Sequence, residues 1–388
     1  LNFIGLDSST RAHNFDFASG NMHNVTTSRG AGSGTHIDKL ATNCTITGDL
    51  TVGANSKFSS GTRVFTVNGH VEVSGELDCD DSDKPMTFKS IQIESTGTYN
   101  ATSGTTTLTG EHTSGFVWYN LGTFNDTDGT VTIGDGSTSI GTTHIRENRF
   151  HHLIINRDAS STNTVWRDVS GDTLTIDGDL TITKGFFYRH TVTDTLTVTG
   201  DVTVEANGNL GLTADTGANK FGSIVIAGAY NATSGTTTIT NEKSGHAWKN
   251  NGGTFTHNNG KVLFDFDTGN LAGDTEVKEN TFYDLEVKLD QAGYELRFED
   301  HSSTNAMDIL NNLTVTKGIF DTMTKSDTLT IHGQTIIESD GVFTEADHDT
   351  NKIIHNGIVR NLGTYKINDG TTVKMNGGIR NLGTITVA

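Results

Sequence analysis

Short runs of alternating apolar and polar residues recur along the whole chain. Leu180-Thr181-Ile182, Val202-Thr203-Val204 and Ile224-Val225-Ile226 place apolar side chains two positions apart, at steps of 22 residues. Further runs, such as Leu196-Thr197-Val198, lie between them, and turns rich in Gly, Asn and Asp separate them. Runs of this length with period 2 predict strands. No stretch of ten residues carries the i, i+3, i+4, i+7 spacing of an amphipathic helix. The nearest candidate, around Glu276 to Leu289, alternates Phe282, Leu285, Val287 and Leu289 and predicts a strand with one apolar face.

A longer period contains the short one. Tyr99-Asn-Ala-Thr-Ser-Gly-Thr-Thr-Thr-Leu-Thr109 returns as Tyr230-Asn-Ala-Thr-Ser-Gly-Thr-Thr-Thr-Ile-Thr240, an offset of 131. Gly122-Thr-Phe124 returns as Gly253-Thr-Phe255, Trp118 as Trp248, and Glu147-Asn-Arg-Phe150 as Glu279-Asn-Thr-Phe282. The repeats divide the chain into a lead-in at 1–47, full units at 48–177 and 178–310, and a shortened unit at 311–388. Near the end, Arg360-Asn-Leu-Gly-Thr364 returns as Arg380-Asn-Leu-Gly-Thr384.

Coils of about 20–24 residues, each with three short strands and three turns, predict a parallel β-solenoid, expected to be right-handed. At ~4.8 Å per coil, roughly seventeen coils would stack into a rod of roughly 80 Å. An array of sandwich domains is the competing fold, but its strands would not resemble one another at a fixed spacing. Composition agrees with the solenoid. Hydrophobic residues are only 33%, which suffices when alternate residues face a narrow interior. Thr is the most frequent residue and favours strands. The 45 Gly suit stacked turns, and a single proline, Pro85, leaves the ladder donors nearly intact. The run Ile385-Thr-Val387 is still in strand pattern, which predicts a cover or a second subunit on that end.

Net charge is −19, which argues against a general nucleic-acid binder. No apolar run approaches the ~20 residues of a membrane span, so no membrane insertion is expected. The first residue is Leu1, so the natural start is expected to lie upstream. Cys44 and Cys79 allow one disulfide or two buried thiols.

Asn312-Leu-Thr-Val-Thr-Lys-Gly-Ile-Phe-Asp321, Asp327-Thr-Leu-Thr-Ile331 and Glu279-Asn-Thr-Phe-Tyr-Asp-Leu-Glu-Val287 resemble repeats of β-solenoid fibre and virion-surface proteins of marine bacteriophages, and of related secreted adhesins. The likeness is one of style across most of 48–388. It implies a structural or adhesive role, on a virion surface or otherwise outside the cell. It also implies a homo-oligomer, commonly a trimer, in contact with other virion or surface proteins and with cell-surface polysaccharide. An adhesin or filament subunit of a bacterial or archaeal surface is the alternative, and a polysaccharide-degrading tailspike the second.

No catalytic residue is assigned. Glu147 and Glu279 could act on polysaccharide, but as repeat equivalents they read as scaffold. Asp78, Asp80, Asp81 and Asp83 read as a solvated loop. No cofactor is expected. Calcium is the weaker alternative at Asn125-Asp-Thr-Asp-Gly129 and Asp265-Phe-Asp-Thr-Gly269, neither of which completes a calcium-loop pattern. Trp118 and Trp248, being repeated, read as interior. Trp166 and Tyr188 are the candidate surface contacts for carbohydrate. The loops 78–87, 134–146, 157–171 and 290–306 interrupt the period and are expected to carry specific contacts. Six N-x-S/T sequons are no more than chance supplies.

Overall fold

A computed structural model of the chain describes residues 2–5, 11–15, 22–29, 35–81, 83–112, 114–136, 141–157, 162–167, 172–267, 273–279, 281–290, 293–299, 306–322, 328–345 and 352–387. Gly30 to Gly34, and parts of each of the four period-breaking loops, lie outside the described residues. The described chain is all β, with parallel strands stacked as a β-solenoid and no helix. It forms two compact units, Leu1–Thr191 and Val192–Ala388.

Three ladders build the first unit. In one, Cys44, Phe65, Met86, Thr106, Val131, Leu153 and Leu180 are successive register partners. In the second, Leu50, Val71, Ile91, Trp118, Ile145 and Trp166 follow one another. The third runs Phe58, Leu77, Tyr99, Phe124. These side chains face inward, and all but Phe124 are buried. The residues between them point outward, as strand alternation requires. Strands in 1–47 join the same ladders, Val25 being the partner of Leu50.

The second unit repeats the plan. Phe221, Ile239, Phe264, Val287, Val315 and Ile337 form one interior row. Another holds a run of aromatic rings, with centroids 4.9 Å apart for Phe298–Phe320, 5.2 Å for Phe320–Phe343 and 4.9 Å for Phe343–Tyr365.

About 14 turns are present, not seventeen. The step between register partners varies from 20 residues, Val359 to Ile379, to 28, Leu285 to Leu313. Loops lengthen individual turns, so 388 residues complete fewer of them. Where turns stack closely, glycine is required. A Cβ on Gly122 would lie 2.3 Å from the Glu94 carbonyl oxygen and 2.4 Å from that of Gly97.

The interior also holds a titratable group. His355 is fully buried, with Nδ1 2.7 Å from Thr335 Oγ1 and Nε2 2.9 Å from the Tyr365 hydroxyl. Burial lowers its pKa from 6.5 to about 4. His70 is lowered to about 4 as well, by burial and then by the neighbouring His112. Between these values and 6.5 the unfolded chain binds protons that the folded chain rejects. Stability is therefore complete above pH 6.5 and declines as pH falls toward 4. Thermal melts by circular dichroism are expected to show this decline, with a shallower slope for His355→Gln.

Candidate functional site at a break in the strand ladder

The third ladder of the first unit stops abruptly. Thr123–Asn125 pairs backward with Thr98–Asn100, whereas Arg149–Phe150 pairs only onward, with Thr173–Ile176. Among the described residues no strand pairing joins Thr123–Asn125 to Arg149–Phe150. The second unit has the same interruption. Thr254–Thr256 closes a ladder on Ala229–Asn231, and Thr281–Phe282 opens a new one with Ala306–Ile309. The repeated Gly-Thr-Phe and Glu-Asn-x-Phe phrases are the two lips of these breaks.

In a parallel ladder, alternate residues direct their backbone groups to opposite neighbours. Thr123 N–H donates to the Gly97 carbonyl and Asn125 C=O accepts from Ala101 N–H. The N–H and C=O of Phe124 therefore face the break. On the other lip, Asn148 and Phe150 carbonyls accept from Thr175 and Asp177, so the backbone of Arg149 faces the break too.

Glu147 takes the place of the missing strand. Its carboxylate accepts from Asn148 N–H at 2.9 Å, Asn120 Nδ2 at 2.8 Å, Trp118 Nε1 at 3.1 Å and the backbone N–H of Arg149. Asn120 Oδ1 in turn accepts from Gly122 N–H at 2.9 Å. Burial raises the Glu147 pKa, and these donors oppose the rise. In the second unit Asn250 Nδ2 donates to Glu279 at 2.9 Å and its Oδ1 accepts from Gly253 N–H at 2.8 Å.

Beneath each break lie four packed rings. Tyr99 stacks on Phe124 at 5.8 Å and 22°, as Tyr230 does on Phe255 at 5.8 Å and 22°. Trp118 meets Phe124 edge-on at 4.6 Å, and Trp248 meets Phe255 at 4.8 Å. Phe150 and Phe282 complete the two sets.

Trp166 is not a surface contact. It is 1% exposed, and its Nε1 donates to the Glu147 carbonyl at 2.7 Å. It is the inward register partner of Ile145, and Phe298, also buried, occupies the matching place beside Val277. The repeat conserves an aromatic ring but not the residue, which hid the equivalence. Tyr188 stands on the outer side of its strand, half-buried, and this burial raises its pKa.

Asp78 is buried rather than solvated, with Lys57 Nζ at 2.5 Å. Its hydrogen bond to Asp80, more than burial, pushes Asp80 up to about 6. Cys44 and Cys79 are separate buried thiols, and burial raises them to about 11 and about 12. The first calcium-like loop brings ligand atoms of Asp126, Asp128 and His151 within 4.8 Å of one another. That is three groups, one an imidazole, where calcium takes about six to eight oxygens. In the second calcium-like loop, Thr268 and Gly269 lie outside the described residues.

One cluster has no signal in the sequence. Arg297 Nη2 lies 2.5 Å from Asp274 and 2.9 Å from Glu295. Asp321, the register partner of Arg297, is 7% exposed, and its Oδ1 has no hydrogen-bond partner among the described residues. Burial, then the adjacent Glu295 carboxylate, pushes Asp321 up to about 7. Register places Thr142, Asn163, Val165 and Tyr188 at the matching positions of the first unit, so the cluster is not duplicated. Its members come from separate strands 21 to 47 residues apart, and only the coil register assembles them.

Comparison with protein families, curated proteins and solved structures found no match for the chain.

The two breaks differ in strain. Thr127 and Asp128 both adopt positive φ, 44° and 58°, where the second unit has Asn258 and Asn259 at 48° and 60°. A left-handed conformation costs a β-branched residue about 1–2 kcal/mol, and asparagine less. Thr127 Oγ1 donates to the Ala101 carbonyl, as Asn258 Nδ2 does to that of Ala232. Thr127→Asn keeps that bond and relieves the strain. It is expected to stabilise the protein by about 1 kcal/mol in urea titrations. Glu147→Ala strands buried donors and is expected to cost about 3 kcal/mol, with a red shift of tryptophan emission.

Proposed function

We propose that the chain is a structural β-solenoid element of a phage virion surface, in a fibre, tailspike or capsid appendage. The observation that carries this reading is the use of Glu147 and Glu279. The duplicated carboxylates, the natural first candidates for chemistry, are engaged in closing the wall of the fold. Continuous parallel ladders resist deformation along the stack, because each coil contacts mainly its neighbours. The net charge of −19 keeps such elements soluble and apart. Assembly as a homo-oligomer among other surface proteins belongs to the same reading. A bacterial or archaeal adhesin or filament subunit fits the same features.

The unduplicated cluster of Asp274, Glu295, Arg297 and Asp321 favours a second reading, cleavage of a polysaccharide. A carboxyl group held protonated near neutrality can serve as a general acid beside an ionised partner.

Electron cryo-microscopy of the native source particle, combined with assays for reducing ends released from host polysaccharide, separates these readings. The expected result is density for the chain on the particle exterior and no release. Release that disappears in Asp321→Asn would establish the enzyme and overturn the structural proposal.

A further inference from the structure

We infer that the cleft over the first ladder break binds an uncharged oligosaccharide. The cleft has a volume of about 370 Å³ and is lined by Phe124, Asn125, Asp126, Thr127, Asn148 and Arg149 above the Glu147 floor. That lies at the lower end of the range of about 300–1,000 Å³ for small-ligand pockets. This inference goes beyond the structural proposal and does not depend on it.

Three features define the ligand. First, Phe124 is the one ring of its set that reaches the surface, since Tyr99, Trp118 and Phe150 are each 0% exposed. An aromatic ring offers a platform for the C–H face of a sugar. Second, the backbone N–H and C=O of Phe124 face the break, and amide, carboxylate and guanidinium groups surround them. A donor and an acceptor side by side, flanked by planar polar groups, match the paired hydroxyls of a pyranose. Third, the charges are already matched. Arg149 Nε lies 2.6 Å from Asp177 and 3.8 Å from Asp126, and the Glu147 carboxylate is saturated with donors. No surplus cation remains for an acidic sugar or a phosphate.

The second unit supplies an internal comparison. It keeps the floor of Asn250, Glu279 and Trp248 but changes the rim. Thr256, His257, Asn258 and Thr281 stand where Asn125, Asp126, Thr127 and Arg149 stand in the first unit. There His257 stacks on Tyr283 at 5.6 Å and 19°. A floor that is repeated and a rim that diverges separate scaffold from recognition. The strained Thr127 belongs to the first rim, where the relaxed asparagine of the second would hold the turn equally well. Strain that persists beside a cleft points to a role there.

The test titrates the full chain with cellohexaose, laminarihexaose, maltohexaose and chitohexaose. Tryptophan fluorescence and saturation-transfer NMR provide the readouts. Trp118 lies 4.6 Å from Phe124, so occupancy of the cleft changes its emission. Saturable binding is expected for at least one of the four, below about 1 mM. Asn125→Ala and Arg149→Gln should each weaken it by about tenfold or more, with unchanged melting curves, whereas Thr256→Ala leaves it intact. The inference is overturned if none of the four binds, if Asn125→Ala and Arg149→Gln bind as well as the parent chain, or if only oligogalacturonate, used as an anionic control, binds. Shortening of a bound hexasaccharide would overturn the structural proposal while upholding this site.

Discussion

Every backbone N–H and C=O in a parallel ladder needs a partner in the coil above or below, and the rest of this protein follows from that demand. Side-chain choice is loose on the outside and strict only where coils approach. Gly122 is one strict position, because two carbonyl oxygens occupy the place of its Cβ. Glu147 is another. Where the ladder stops, a buried carboxylate supplies acceptors that the absent strand would have provided. An unpaired buried amide costs about 1–3 kcal/mol, so a ladder cannot simply end in the middle of a wall.

That requirement gives the 131-residue repeat a physical meaning. Each full unit contains one interruption, and the phrases most faithfully repeated are those that line it. Asn120 and Asn250 make the same pair of bonds, and the two sets of rings agree within about 0.2 Å in most centroid distances. Repetition therefore marks what holds the wall together. Divergence marks what the wall presents: Arg149 against Thr281, Asp126 against His257, and Tyr188 against Asp321.

The interior accepts polar and titratable groups when the coil above supplies a partner. His355 sits between a threonine and a tyrosine hydroxyl, and Tyr99 and Tyr230 each meet a threonine hydroxyl, at 2.8 and 2.9 Å. The same stacking sets charge against charge on the outer side. Lys261 meets Glu286 and Lys288 meets Asp265 on strands whose residues are direct register partners or near neighbours. Where the register instead opposes like charges, as at Asp321 and Glu295, protonation relieves the repulsion.

The solenoid was legible in the sequence because period-2 alternation and a coil-length repeat are local properties of the chain. The scaffold role of Glu147 was legible for the same reason, since Glu279 stands at its repeat position. Interior Trp118 and Trp248 were legible as a matched pair, but Trp166 was not, because its counterpart is Phe298 and a repeat in ring type leaves no repeat in letters. The number of turns was misjudged, since loop length is not visible in the strand pattern. Only the tertiary structure showed that the repeated phrases are lips of a broken ladder, and that Asp274, Glu295, Arg297 and Asp321 share one spot. Both facts depend on register: which residue lies above which is decided by how each loop returns the chain to the stack, and sequence distance does not encode it.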